Sequence, residues 1–143
     1  MGKLRTPLFV LICGVLLQAG CGAYHTGDPL DNVRRVFVGT WEGEHVDDEG
    51  NLLRTWIQRR FEDGTYATSF VHCTEKGIRR SGQRGKWWID GNRFYEIAPS
   101  VMEEPDVYEF EILNNNEIRF KSTVTDYEFI DRRVLGPHDV TFI

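Results

Sequence analysis

From Val36 onward the chain alternates between short runs rich in β-branched and aromatic residues and clusters of turn formers. The runs are VFVGTWEGEHV, LLRTWIQRRF, TYATSFVHC, GKWWID, RFYEI, VYEFEIL, EIRFKSTV and YEFIDRRV. They read as strands, because a pleated, half-buried surface favours those residue types. Asp47-Asp48-Glu49-Gly50-Asn51, Asp63-Gly64, Asp90-Gly91-Asn92 and Asn114-Asn115-Asn116 separate them as turns. No window keeps a sustained helical spacing. The pattern predicts an all-β domain over 36–143, an antiparallel meander of about eight strands closed as an up-and-down barrel, with a β-sandwich as the alternative.

Register is readable at one hairpin. With Asn114-Asn115-Asn116 as the loop, Ile112 faces Ile118 and Phe110 faces Phe120 on one side, while Glu111 meets Arg119 and Glu109 meets Lys121 on the other. A one-residue slip would mix apolar and charged faces, so the pairing is strongly specified. Around Asp63-Gly64 the expected pairs are Phe61 with Tyr66 and Ile57 with Phe70, with Arg59 and Thr68 on the same face. Trp87 and Trp88 are neighbours, so one is expected in the core and the other outside or at a rim.

The first twenty residues follow a different logic. Lys3 and Arg5 precede an apolar run from Leu8 to Leu17, and the first acid is Asp28. Ten residues are too few for a membrane-spanning helix but suit the core of a signal peptide. Ala19-Gly20-Cys21 then resembles the lipobox of bacterial lipoproteins, with Gln18 where that family has Leu. The resemblance implies a signal peptide over 1–20, cleavage after Gly20, acylation of Cys21 and a lipidated tether over 21–35. It also implies an exported, lipid-anchored protein of the cell envelope, at the outer membrane in a Gram-negative host. The alternative is an ordinary secretory signal with Cys21 as a plain thiol. With Cys13 lost with the signal and Cys21 acylated, Cys73 would stand alone without a disulfide framework.

Gly39-Thr40-Trp41 at the first strand, with the Asp63-Gly64-Thr65-Tyr66 and Gly85-Lys86-Trp87-Trp88 segments, is similar to lipocalin-like domains of exported bacterial proteins. What the resemblance implies is a closed barrel able to hold one small apolar ligand, with Trp41 packing at one end.

The formal charge of −5 over 143 residues argues against nucleic acid as a partner and against electrostatic adsorption to anionic lipid. Chemistry-bearing clusters are few. His72 and Cys73 are strand neighbours that face opposite ways, and no metal-ligand spacing accompanies them. His45, Asp47, Asp48 and Glu49 surround one hairpin loop without the alternation of a calcium loop. Glu103, Glu104 and Asp106 form an acidic connection with nothing apolar nearby to split their acidities. No nucleophile elbow or phosphate cradle is present, so the reading is a non-enzyme without metal or cofactor. Arg79, Arg80, Arg84 and Lys86 make a basic stretch running into Trp87 and Trp88, either a solvated loop and hairpin arm or a surface for an envelope protein or anionic glycan.

Two functions follow. The first is a membrane-anchored barrel that binds an apolar or amphiphilic ligand through Trp41, Ile57, Phe61, Phe70 and Phe110, with Arg59 as polar anchor. The second is an envelope interaction or inhibitor protein acting through the Arg79–Trp88 patch.

Overall fold

A computed structural model describes residues 29–136. The expected signal peptide, Cys21 and the first part of the tether lie outside the described residues. Eight antiparallel strands form one closed barrel in chain order: β1 (Gly39–Val46), β2 (Leu52–Arg60), β3 (Thr65–Thr74), β4 (Gly77–Asp90), β5 (Arg93–Ile97), β6 (Asp106–Asn114), β7 (Glu117–Ser122) and β8 (Glu128–Arg133). Closure settles the barrel against the sandwich and removes both sheet edges.

One element has no counterpart in the sequence reading. Residues Pro29–Phe37 form a helix, α1, where the end of a tether and the start of a strand were expected. Pro29 opens it with its φ already set, Asp31 lies in the first turn and Arg34 and Arg35 in the last, matching the helix dipole. Its apolar side is a single i, i+3, i+4 set of Val33, Val36 and Phe37, too short to register as periodicity. The helix plugs one end of the barrel. Phe37 is fully buried and packs edge-on against Phe110 at 4.9 Å and stacked on Phe94 at 5.5 Å. Arg34 ties the plug to the β2–β3 turn by donating to the Glu62 carbonyl at 2.8 Å.

At this closed end Trp41 has no solvent contact, and its indole N–H donates to the Phe37 carbonyl at 2.9 Å. Arg133 lies over the Trp41 ring at 4.2 Å and donates to the carbonyls of Val36, Val38 and Asn115. The β1–β8 seam that this arginine spans has two register pairs, Trp41 with Arg133 and Glu42 with Arg132.

The β6–β7 hairpin holds the expected pairs from Glu109–Lys121 to Ile112–Ile118, but Asn114 rather than Leu113 faces Glu117, so Leu113 is extruded as a bulge. The β2–β3 hairpin differs by one residue from the expected register. Arg60, not Phe61, pairs with Tyr66, and Trp56, not Ile57, pairs with Phe70. A turn over 61–65 fixes this, with Phe61 N–H bonded to the Thr65 carbonyl and Asp63 accepting from the Thr65 amide and hydroxyl. Because successive side chains alternate, the slip turns all of β2 over. Arg54, Trp56, Gln58 and Arg60 face inward, while Ile57, Arg59 and Phe61 face outward.

β4 runs through the whole basic stretch, which is strand rather than loop. Its residues alternate across the barrel wall, so Arg79 and Trp87 face inward and Arg80, Arg84, Lys86 and Trp88 outward. Trp87 is buried, and Trp88 stacks on Tyr95 at 5.1 Å on the outside.

Candidate functional site

The interior changes character along the barrel axis. The closed end is a box of aromatic rings, the middle is polar, and the far end is open. A cavity of about 380 Å³ runs from the middle to the opening, within the range of small-molecule sites.

Its floor is Arg60. This side chain is almost without solvent contact, and its guanidinium lies 4.8–5.9 Å from the ring centres of Phe94, Phe120, Trp41 and Phe37. On its other side it meets the fully buried Asp131 carboxylate at 2.5 Å. The second oxygen of Asp131 accepts from the Trp56 indole at 2.9 Å. Burial pushes the Asp131 carboxyl up and Arg60 pulls it back; with both oxygens accepting, the ionised form fits the geometry. Among the described residues the Arg60 Nη1 has no hydrogen-bond acceptor. The ring faces around the guanidinium supply the electrostatic contact it lacks there. Gly43 makes room for this arrangement, because a Cβ at that position would overlap the Trp56 ring.

Above the floor, Gln58 connects three groups. It donates to Thr68 at 3.0 Å and to Glu96 at 2.9 Å, and its carbonyl accepts from Arg60 Nε at 2.6 Å. Burial holds the Glu96 carboxyl above its ordinary value, against the pull of Arg60 and Gln58. The wall at this level is aromatic: Trp56 and Phe129 meet edge-on at 5.2 Å, and Tyr108 meets Phe129 at 5.3 Å. The short β5 leaves the β5–β6 connection to cover part of the rim. One turn there, with Met102 N–H bonded to the Ala98 carbonyl at 2.9 Å, brings Val101 and Met102 to the cavity.

At the opening stand Arg54, His72, Arg79, Ser81, Asp106 and Tyr127. His72 Nε2 and Ser81 Oγ are hydrogen-bonded at 2.9 Å. Partial burial first, then the charges of Arg79 and Arg54, hold His72 below its ordinary value.

Of the residues expected to line a ligand site, the structure places Phe70 on the cavity wall and Trp41 and Phe110 in the closed-end core. Ile57, Arg59 and Phe61 are outside the barrel, for the register reason given above. The residues that replace them are Arg54, Trp56, Gln58 and Arg60, whose partners lie far along the chain. The expected Arg79–Trp88 patch is divided between the two faces of β4. His72 and Cys73 do face opposite ways, His72 into the cavity. Asp47 accepts from the Asn51 and Glu49 amides, so its loop is organised by its own hydrogen bonds. Among the described residues no group of three or more His, Cys, Asp or Glu side chains could hold a metal ion, and no helix is long and apolar enough to cross a membrane.

No protein-family model matches the chain, and no curated protein matches it either. Among solved structures, a de novo designed fluorescence-activating β-barrel is similar, at 17% identity over 71% of this chain and 97% of that one, with a TM-score of 0.43.

Proposed function

We propose that this chain is a binding module that holds one small amphiphilic ligand within its barrel, without turnover, and that its N-terminus is exported and lipid-anchored at Cys21. The observation that carries the binding reading is the cavity of about 380 Å³, with aromatic walls, a polar floor and an opening at one end only. A barrel serving as a structural spacer would fill this space with side chains, as the closed end does. The anchor reading rests on the run from Leu8 to Leu17 followed by Ala19-Gly20-Cys21.

Mass spectrometry of the full-length protein, extracted in detergent and measured under gentle and then denaturing conditions, tests both parts. A diacyl or triacyl increment on Cys21 supports the anchor, and an unmodified Cys21 removes it. An adduct lost on denaturation supports the binding reading and identifies its class. Its absence in every preparation counts against a resident ligand.

A second reading is favoured by one feature of the outer wall. Trp88 is 39% exposed and stacks on Tyr95, on the face of β4 that also carries Arg80, Arg84 and Lys86. This is the surface that would meet an envelope protein or an anionic glycan. Charge reversal by Arg80→Glu with Lys86→Glu would abolish such capture without touching the cavity.

A further inference from the structure

The opening of the cavity carries a charge pattern that its floor does not. Arg54 on β2, His72 on β3 and Arg79 on β4 occupy one lateral row, with Arg54 paired to His72 and His72 to Arg79. All three line the cavity, so one level of the wall presents two guanidinium groups flanking an imidazole. The two arginines stand on either side of His72, two strands apart. Among the described residues neither Arg54 nor Arg79 has a carboxylate within ion-pairing distance.

The other acids of the cavity are engaged or distant. Asp131 is taken by Arg60 and Glu96 by Gln58. Asp106 stands on β6, four strands from β2 and two from β4, and accepts from the Tyr108 hydroxyl at 3.4 Å. Arg54 is also short of acceptors. Among the described residues its Nε–H, shut off from solvent, has no partner, and its Nη2 donates to the Tyr127 hydroxyl at a long 3.4 Å. A shielded donor of this kind is costly to leave unmet. The guanidinium is meanwhile held in place by the ring faces of Trp56 and Phe70, at 5.5 and 5.2 Å. A cation positioned on aromatic walls at the entrance of an aromatic cavity, with no carboxylate paired to it among the described residues, is arranged to receive an anion.

Resting on the binding reading above, we propose that the ligand is an amphiphile with one anionic group, a carboxylate, sulfonate or phosphate, bound with its charge at the opening. Arg54 and Arg79 grip the anion from either side of His72, each guanidinium able to offer paired donors to two oxygens at once. The apolar body lies inward against Trp56, Phe70 and Phe129, and its far end meets the Gln58–Thr68–Glu96 level. The inner end of such a ligand is uncharged and polar, because the one cation at that level, Arg60, is already engaged by Asp131 and Gln58.

The test uses the full-length chain in lipid nanodiscs and two dyes of nearly the same shape: anilinonaphthalene sulfonate, which is anionic, and N-phenylnaphthylamine, which is neutral. Binding is read by energy transfer from tryptophan, with empty nanodiscs as the blank. The sulfonate is expected to bind about tenfold or more tightly than the amine, one charge-assisted contact being sufficient for that ratio. Arg54→Gln with Arg79→Gln is expected to erase this preference and leave amine binding unchanged, and added salt to weaken the sulfonate alone. Arg79→Gln by itself, at the exposed rim, keeps the test available if the double variant does not fold. Equal affinity for the two dyes in the unaltered protein, or equal losses for both in the variants, overturns the anion proposal and leaves the cavity-binding reading standing. Binding of neither dye by the folded protein overturns both.

Discussion

The Arg60 guanidinium and the Asp131 carboxylate meet at 2.5 Å inside the barrel, 71 residues apart in sequence and both almost without solvent contact. Removing one partner leaves the other charge buried alone. Asp131→Asn or Arg60→Met is therefore expected to destabilise the fold by about 3–5 kcal/mol. Replacing both by apolar residues of similar volume, as in Arg60→Met with Asp131→Leu, is expected to recover most of that loss, because the desolvation of both ions is then also avoided. Urea denaturation midpoints of the three variants read the difference.

Gly43 predicts a packing effect where the sequence shows only an alternating Glu-Gly-Glu. A methyl group there would overlap the Trp56 indole, and the ring cannot move without giving up its bond to Asp131. Gly43→Ala is expected to cost about 1–3 kcal/mol, as overpacking does elsewhere. A shift in tryptophan emission and a fall in the urea midpoint would appear together. An unchanged midpoint would mean that the wall of β1 yields instead.

Arg133 joins the helical plug to the barrel by donating to Val36 and Val38. Arg133→Ala is expected to cost at least about 2 kcal/mol, since hydrogen bonds from a charged donor are worth about 1.5–3 kcal/mol each. Amide exchange should accelerate across Pro29–Phe37 while the β3–β4 ladder stays protected. Uniform acceleration throughout the chain would place the role of Arg133 in global stability rather than in docking the plug.

Two cavity residues give opposite dependences on pH. Burial raises Glu96 above 4.5, so the folded chain keeps a proton that the unfolded chain has released. Its contribution to stability is complete below pH 4.5 and is lost as the pH rises through the folded value. His72 is lowered from 6.5, mainly by desolvation. Its contribution is present above pH 6.5 and is lost as the pH falls through the folded value. Glu96→Gln should then gain on the unaltered protein as pH rises above 4.5, and His72→Gln should flatten the loss below 6.5. A urea-midpoint series across pH separates the two. Parallel curves for Glu96→Gln and the unaltered protein would remove Glu96 from the account.

The barrel was legible where each strand separates its chemistry by face. In the β6–β7 hairpin, Phe110, Ile112, Ile118 and Phe120 against Glu109, Glu111, Arg119 and Lys121 leave one acceptable register, and only the bulge at Leu113 escaped it. In β2 the same rule misleads. Trp56 and Ile57 are adjacent and Phe61 follows, so an apolar face through Ile57 and Phe61 looks better than one through Gln58 and Arg60. The true inward face is acceptable because Thr68, Glu96 and Asp131 meet those polar groups from other strands. That compensation is tertiary, and no local pattern carries it. The cavity shared this fate, since most of its polar wall is the face of β2 that the sequence hides. The divided basic stretch was missed for a simpler reason: its Gly- and Arg-rich composition reads as loop, yet it extends β4 beside the long β3.

The two register pairs between β1 and β8 also bear on how the chain reaches this state. Every other pairing joins strands that follow one another and forms across a short connection. The seam brings together positions ninety or more residues apart and so has the largest loop-closure entropy of the eight. It is expected to form after the meander, with the stacking of Arg133 on Trp41 acting as a latch that sets late. Weakening that latch should leave the refolding rate nearly unchanged and accelerate unfolding, because contacts absent from the transition state act on escape from the native basin alone. The lifetime of the closed barrel, more than its speed of assembly, is held at one arginine.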